Sequence, residues 1–230
     1  RLVDEAVRES GIDRIELRRR NLIRREDFPY RTPSGSTYDS GDPPGQLDKA
    51  LGFSEWSSFP SRRNESSKRQ KLRGIGCAVF LEPSGAGAAP QEQAAIKFGE
   101  SGDAVLHVLS GPSGQAHETV FPRVVAEIFR IPEENITLRA SDPLGPALIG
   151  GGTVGSRSLM SHGAALYATA QEVVKKGLEL ASRELEAAPQ DIEFAGGKYR
   201  IKGTDRAVTF GEIARRYRNA LDTQSGIPTP

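Results

Sequence analysis

Short apolar runs bounded by turn residues recur along most of the chain and predict β-strands. The expected strands span residues 73–82, 92–98, 104–109, 135–140, 192–194 and 199–201, followed by a strand and a short helix around residues 208–217. Residues 99–103 and the Gly196-Gly197 step are typical of hairpin turns, so the strands on either side of each are expected to pair.

Two segments have instead the three- and four-residue spacing of a helix with one buried face. The first follows residue 119 and is expected to end near Arg130, before the Ile131-Pro132 step, with Pro122 close to its start. The second is a long helix from about residue 156 to 186. The first half of its inward stripe is expected to be mostly small, and the stripe consists of Leu159, Gly163, Leu166, Ala170, Val173, Gly177, Leu178, Ala181 and Leu185. Strands and helices that do not alternate strictly favour an α+β fold, with one long helix after a glycine-rich loop.

The first 70 residues are expected to be helical and extended and to end in a linker. The expected elements are a helix over residues 1–10 that stops at Gly11, a helix over 15–21 capped by Asp13, an extended loop with a short strand pairing over 28–44, and one or two helices over 45–64. The side chains expected to face inward in the last segment are Leu47, Leu51, Phe53, Trp56 and Phe59. Residues 62–73 indicate a linker, so we divide the chain near residue 70, into residues 1–70 and 71–230.

Two glycine-rich stretches precede predicted helices. The first glycine loop, residues 110–119, follows a predicted strand, and the second glycine loop, residues 150–158, contains hydroxyl residues suited to capping the long helix. Amides at a helix start have no intrahelical partner and lie at the positive end of the helix dipole, which suits a phosphate. A single loop of this kind often has only a steric role. Two of them predict convergence on one extended ligand with several phosphates.

The residues of the two loops resemble a known pair of motifs. Gly114-Gln115-Ala116-His117-Glu118-Thr119 and Gly152-Thr153-Val154-Gly155-Ser156-Arg157-Ser158 are similar to the GQGHET and GTYGSRS motifs of the molybdopterin-binding large subunit of molybdenum hydroxylases, the aerobic carbon monoxide dehydrogenase and xanthine/aldehyde dehydrogenase-like family. Like residues also occur at 18–23, 38–42 and 73–76. The resemblance implies that residues 71–230 are part of a molybdopterin-binding domain.

The resemblance implies a molybdopterin cofactor, expected as the cytosine dinucleotide, whose own dithiolene sulfurs hold the molybdenum. Gln115 and the backbone of residues 116–119 would contact the pterin and its phosphate tail, and residues 153–158 would supply further donors. The implied cofactor-binding residues are Gly114, Gln115, Ala116, His117, Glu118, Thr119, Thr153, Gly155, Ser156, Arg157 and Ser158.

Three of these residues allow more than one interpretation, and a fourth departs from the motif. His117 is a candidate base because histidine side chains commonly act as bases, but the resemblance implies a structural or cofactor-contact role. Glu118 is another candidate base, although a carboxylate at a helix start more often caps amides. Arg157 is expected to contact a phosphate directly, and the alternative is a surface salt bridge. Ala116 replaces the motif's glycine, and its methyl group narrows the approach to the backbone and disfavours a positive φ.

In the complete enzyme, the resemblance implies hydroxylation or oxidation of a small substrate with oxygen from water. Electrons would pass to iron–sulfur and FAD centres on partner subunits or domains. The family's glycine–phenylalanine segment beside the metal and its catalytic glutamate are not found in the 230 residues. We therefore assign no catalytic residue and no protein metal ligand. We expect a fragment that is inactive alone and assembles with the remainder of its subunit and with iron–sulfur and flavin subunits.

The composition narrows the other possibilities. A formal net charge of +1 gives no general attraction to nucleic acid or to an anionic membrane. No apolar run approaches eighteen residues and no signal peptide is recognisable, so we expect a cytoplasmic protein. The single cysteine, Cys77, excludes an internal disulfide and an iron–sulfur cluster held by this chain alone. We expect Cys77 to be a small buried hydrophobe.

Two other function classes stay open. In the first, the chain is a non-catalytic binding or scaffold module whose glycine loops serve folding only. In the second, the six arginines within residues 14–25 bind RNA. Acidic residues are interleaved with those arginines, which favours a solvated or inter-subunit face. Trp56 lies in an apolar stripe, which favours packing over recognition.

Overall fold

The computed structural model describes residues 1–82, 85 and 91–228, and the chain forms two compact units, Arg1–Leu81 and Glu82–Pro230. The boundary between the units falls after Leu81 rather than near residue 70, because residues 71–81 group with the first unit. The assignment of residues 71–230 to one domain stays a prediction.

The helices of the first unit begin and end at residues suited to those positions. α1 (Leu2–Ser10) ends at Gly11, whose φ of 68° is the left-handed conformation that glycine adopts readily. α2 (Arg14–Arg20) follows Asp13, whose carboxylate accepts hydrogen bonds from the amides of Ile15 and Glu16 at 2.8 and 2.9 Å. The amide of Glu16 contributes most to holding the pKa of Asp13 below its usual value. Both predicted helices and their caps are confirmed.

A short strand pair and two further helices complete the first unit. β1 (Tyr30–Arg31) pairs antiparallel with β2 (Thr37–Tyr38), and α3 (Pro43–Phe53) and α4 (Phe59–Lys68) follow. The predicted strand pairing and helices are therefore confirmed. Leu47 is the buried residue of α3, and Trp56 is half-buried in a 3-10 turn between the two helices.

Four expectations for this unit are wrong. The predicted linker over residues 62–73 is helical as far as Lys68, because its polar residues form a solvated helix. Residues 73–82 form no strand, since no other described segment pairs with them. Phe53 is 89% exposed because it lies roughly 120° around α3 from Leu47. Cys77 is half-buried rather than buried, because its segment lies outside any sheet.

The second unit is built on a four-stranded sheet in the order β5 (Ile136–Ala140), β4 (Ala104–Val108), β3 (Gln91–Phe98) and β9 (Thr223–Pro228). β3 (Gln91–Phe98) and β4 (Ala104–Val108) form the predicted hairpin, in which the amide of Gly99 donates to the carbonyl of Asp103 at 2.9 Å. α5 (His117–Phe129) crosses over to β5 (Ile136–Ala140), which therefore runs parallel to β4. These strands and this helix are confirmed.

Pro122 lies deeper in α5 than expected. The helix begins at His117, so Pro122 is inside it rather than in its first turn, and its ring replaces an amide that would donate to the preceding turn.

The long helix departs from its prediction near its start. Residues Leu159–Gly163 form a π-helical turn, and α6 (Ala164–Glu184) follows as a regular α-helix. The π turn adds a residue to one turn and rotates what precedes it around the helix. For this reason Leu159 is 58% exposed, although it was expected in the inward stripe, while Gly163 is buried.

The remaining elements follow α6. β6 (Ile192–Ala195) and β7 (Lys198–Ile201) form the predicted hairpin, and β8 (Ala207–Thr209) completes a second sheet. α7 (Phe210–Arg216) begins with a capping box between Thr209 and Glu212, α8 spans Arg218–Leu221, and β9 (Thr223–Pro228) pairs antiparallel with β3. The apolar pattern of the sequence did not predict β9.

One hydrophobic core joins these elements. Alternate residues of β3, namely Ala94, Ile96 and Phe98, lie on the sheet face that α5 and α6 cover. Mixed strands packed with helices confirm the α+β class. In the described part of the chain, no helix combines the length and the apolar character that crossing a bilayer requires.

Candidate functional site

The structure brings the two glycine loops together. The first loop follows the end of β4, and the second contacts Glu92 near the start of β3 through the Gly151 amide. Because β3 and β4 are antiparallel, the start of β3 and the end of β4 lie at the same edge of the sheet. The hydroxyl groups of Ser110 and Thr153 are hydrogen-bonded at 2.7 Å, which joins the first loop to the second. Thr153 Oγ1 also accepts a hydrogen bond from Ser158 Oγ at 3.0 Å. The two loops are thus joined at Ser110 and Thr153.

The first loop presents its backbone at the start of α5. Gly114 has a φ of 98°, and Ala116 has φ 56° and ψ 41°, so the non-glycine residue adopts the conformation that its methyl group disfavours. No side chain caps the helix at Ala116. Residues 114, 115, 116, 118 and 119 are exposed. The amide of Thr119 donates to the carbonyl oxygen of Ala116 at 3.1 Å, so the amides of His117 and Glu118 are the candidates for binding an anion at this helix start.

Side chains of the first loop also support its shape. Gln115 Oε1 accepts a hydrogen bond from the amide of Ser113. His117 is 3% exposed and stacks on Phe121, with ring centroids 4.7 Å apart and ring planes 24° apart. This packing fits the structural role better than that of a base. The carboxylate of Glu118 is exposed in the first turn of α5, where the helix dipole stabilises it.

The second loop has two consecutive residues in the left-handed region. Gly155 and Ser156 have φ values of 55° and 57°. Thr153 and Ser156 are exposed, whereas Ser158 is buried. The expected helix cap by a hydroxyl group is wrong, because Ser158 bonds to Thr153 instead of to a helix amide.

Arg157 does not lie where a phosphate contact requires it. Its side chain is 0% exposed, its Nη2 lies 2.6 Å from Glu92 Oε2, and its Nη1 donates to the carbonyl oxygen of Gly152 at 3.0 Å. Both earlier interpretations, the direct phosphate contact and the surface salt bridge, are therefore wrong for the guanidinium. The cause is Glu92, a buried carboxylate that attracts it into the interior.

Two buried residues that the motifs did not indicate, Glu92 and His162, lie beside the second loop. Glu92 is 0% exposed and accepts a hydrogen bond from the amide of Gly151 at 3.2 Å. His162, also 0% exposed, has its Nε2 3.1 Å from Glu92 Oε1, with an angle unsuited to a hydrogen bond. Burial lowers the pKa of His162, Arg157 lowers it further, and Glu92 opposes the shift.

A signal for Glu92 was present in the sequence. It occupies the same phase of β3 as Ala94 and Ile96, so the two-residue period that buries those side chains also buries Glu92. A charged residue in the phase of the core indicates a buried partner of opposite charge. Nothing in the sequence indicates His162, because the π turn that directs it inward is not visible in the apolar spacing.

The geometry defines a class of site. Exposed amides and hydroxyl groups from two adjoining loops suit an extended ligand with several phosphate or other anionic oxygens. Among the residues that the structure describes, no three His, Cys, Asp or Glu side chains are grouped to hold a metal ion.

The chain belongs to the family of molybdopterin cofactor-binding domains, whose model matches residues 49–227. It is 31% identical over 227 residues to the carbon monoxide dehydrogenase large chain of Hydrogenophaga pseudoflava, covering 93% of this chain and 28% of that protein. It is 35% identical to subunit gamma of the 6-hydroxypseudooxynicotine dehydrogenase complex of Paenarthrobacter nicotinovorans, covering 93% and 27%. The chain thus spans less than a third of the length of these relatives.

A solved structure has the same fold. The Cu,Mo-CO dehydrogenase in its carbon monoxide reduced state superposes with a TM-score of 0.60 and 26% identity, over 99% of this chain and 32% of that one. The predicted membership of the molybdenum hydroxylase large-subunit family is confirmed.

Proposed function

We propose that the chain is part of the molybdopterin-binding large subunit of an oxidoreductase, and that its two glycine loops bind the phosphate-bearing part of the cofactor. The complete enzyme would hydroxylate or oxidise a small substrate with oxygen from water. One observation carries the proposal: the Ser110–Thr153 hydrogen bond, which joins the two glycine loops.

The described residues fit this cofactor. The amides at the start of α5 lack a capping side chain, and the second loop exposes Thr153 and Ser156, which carry hydroxyl groups. We assign binding to the backbone of residues 114–119 and 153–156, with Gln115 and Glu118 at its rim. His117, Arg157 and Ser158 are buried, so their part in the site is to hold the loops. When bound, the cofactor supplies the redox chemistry at molybdenum.

The finer assignments belong to the same proposal. We expect the cytosine dinucleotide form of the cofactor, because an extended tail with two phosphates can reach both loops. We also expect iron–sulfur and FAD partners and a cytoplasmic location. The relatives named above are a large chain and a subunit of a complex, which supports partner subunits of some kind.

Binding can be tested on the chain with cytidine diphosphate, which represents the tail of the dinucleotide. We expect saturable changes in the amide NMR signals of both glycine loops. Cytidine without phosphate is the control, and it should produce much smaller changes, because the amides bind phosphate oxygens.

The rival function classes predict other results. A scaffold whose loops serve folding only would show no change in either loop with cytidine diphosphate, and this result would overturn the proposal. An RNA-binding fragment would bind RNA with a steep dependence on salt concentration, whereas we expect a slope near zero.

A further inference from the structure

Two buried residues of opposite charge, Glu92 and Arg157, form hydrogen bonds with the backbone of the second glycine loop. Glu92 accepts a hydrogen bond from the amide of Gly151 at 3.2 Å, and Arg157 donates to the carbonyl oxygen of Gly152 at 3.0 Å. The two side chains contact each other at 2.6 Å, and both are 0% exposed. The peptide groups on either side of the Gly151–Gly152 peptide are thus held by a single ion pair.

The fit around this pair is tight. A Cβ atom at Gly150 would lie 2.1 Å from Glu92 Oε1, so the carboxylate occupies the space in which a side chain would stand. His162 lies on the other side of the carboxylate, with its Nε2 3.1 Å from Oε1. Contacts on several sides therefore fix the orientation of the Glu92 side chain.

The pair joins elements that are distant in sequence. Glu92 belongs to β3, whose neighbouring residues lie in the sheet core, while Arg157 belongs to the loop itself. A loop that contains Gly150, Gly151 and Gly152 has high conformational entropy when unbound, and its amides would otherwise point in many directions. Anchoring it to the sheet reduces the entropy that ligand binding must remove.

We propose that Glu92 and Arg157 are positioning residues that hold the second glycine loop in its ligand-binding conformation without touching the ligand. The inference rests on the proposed function, because it names what keeps that site in shape. Arg157, although it belongs to the family motif, neutralises Glu92 and leaves the anion to amides and hydroxyl groups.

The test separates loop positioning from stability. Removing one partner leaves a buried charge unpaired and destabilises the fold, whereas replacing both with apolar residues of similar size is often neutral. The informative variant is therefore the double substitution Glu92→Leu and Arg157→Met. The matched control is Glu133→Gln, which removes a carboxylate from the exposed Arg123–Glu133 pair on the same unit.

Two measurements on the full chain decide the result. The first is hydrogen exchange at the Gly151 amide without ligand, and the second is the cytidine diphosphate titration followed at each loop. We expect the double variant to unfold near the wild-type temperature. The Gly151 amide should exchange about tenfold faster or more, and apparent affinity at the second loop should fall by a similar factor, which is the effect of losing one charge-assisted hydrogen bond. Glu133→Gln should resemble the wild type in both.

The results distinguish failure of the positioning role from failure of the proposed cofactor binding. If the double variant keeps both Gly151 protection and the wild-type response, the positioning role is refuted, while cofactor binding stands. If the wild type shows no response at either loop, cofactor binding fails, and exchange at Gly151 still decides the positioning role.

If the double variant does not fold, the substitution Arg157→Lys tests the positioning role instead. It keeps the buried charge but lacks the fork that reaches Gly152, so a wild-type response would refute the inference.

Discussion

Ala116 shows how one residue adapts a motif. It replaces the motif's glycine, yet it keeps the positive φ of 56° that glycine would adopt easily. A left-handed conformation costs a non-glycine residue about 1–2 kcal/mol. The loop therefore has the backbone shape of the motif and bears strain because of the alanine methyl group.

Replacing Ala116 with glycine should relieve that strain. We expect Ala116→Gly to raise the free energy of unfolding by about 0.5–1 kcal/mol, after subtracting the greater entropy of glycine in the unfolded chain. Urea denaturation measures the change. Ala168→Gly, inside α6, is the control and should destabilise by about 1 kcal/mol. If both substitutions lowered the free energy of unfolding by the same amount, the result would contradict strain at Ala116.

Two buried histidines make stability depend on pH. Burial lowers the pKa of His107, with a further contribution from Lys97, and burial also lowers the pKa of His162. The unfolded chain then binds protons more readily than the folded chain. The neutral histidines therefore leave the free energy of unfolding undiminished above the pKa of unfolded histidine, about 6.5. The free energy of unfolding falls as the pH drops below that value toward the lower pKa values of the folded chain.

Unfolding free energies measured between pH 7.5 and 5 test this dependence. We expect stability to fall across that interval, before the pH range in which carboxylates such as Asp13 protonate. His107→Gln should reduce the slope, because one of the two buried groups can no longer titrate. A slope unchanged by this substitution would show that His107 is not involved.

At the scale of elements, α6 approaches the second sheet through a glycine. A Cβ atom at Gly177 would lie 2.0 Å from the hydroxyl oxygen of Tyr199 and 2.6 Å from the ring carbon that bears it. Tyr199 is fully buried and donates a hydrogen bond to the carbonyl oxygen of Val174 at 3.2 Å. Burial accordingly raises the pKa of Tyr199. The ring has no room to move away.

We expect Gly177→Ala to destabilise the chain by about 1–3 kcal/mol, as overpacking of a core usually does. Thermal unfolding measures the effect, and Tyr199→Phe in the same chain should relieve it only in part, because the ring carbon remains. Gly52→Ala is the matched control. Gly52 lies in α3 with open space around its Cβ position, so that substitution should stabilise by about 0.5–1 kcal/mol. A neutral Gly177→Ala would contradict the tight packing.

At the scale of the whole molecule, the chain spans only 28% and 27% of two relatives in its family. We expect the purified chain to retain essentially no molybdenum and to be inactive, because the catalytic glutamate and the metal-side segment implied by the resemblance were not recognised in it. Metal analysis by mass spectrometry checks this. Stoichiometric molybdenum with bound pterin would show that the described loops suffice to hold the cofactor.

Most local structure followed from apolar spacing and capping residues. α1, α2, α5 and the hairpin of β3 and β4 depend mainly on neighbours in sequence, and their predictions were confirmed. The predicted strand over residues 73–82 was wrong because a strand needs a partner that no local pattern specifies. Leu159 was placed on the wrong face because a π turn shifts the helical period without altering the residue pattern.

The sequence by itself determined the α+β class, both glycine loops and their resemblance to a molybdopterin-binding family, because these depend on residue identity and short-range spacing. Only the tertiary structure decided that the loops join through Ser110 and Thr153. It also decided that Arg157 points inward to Glu92, away from any ligand. The physical reason is that a buried charge is stable only beside its counter-charge, and the two residues meet through folding of the sheet against the loop rather than through proximity in sequence.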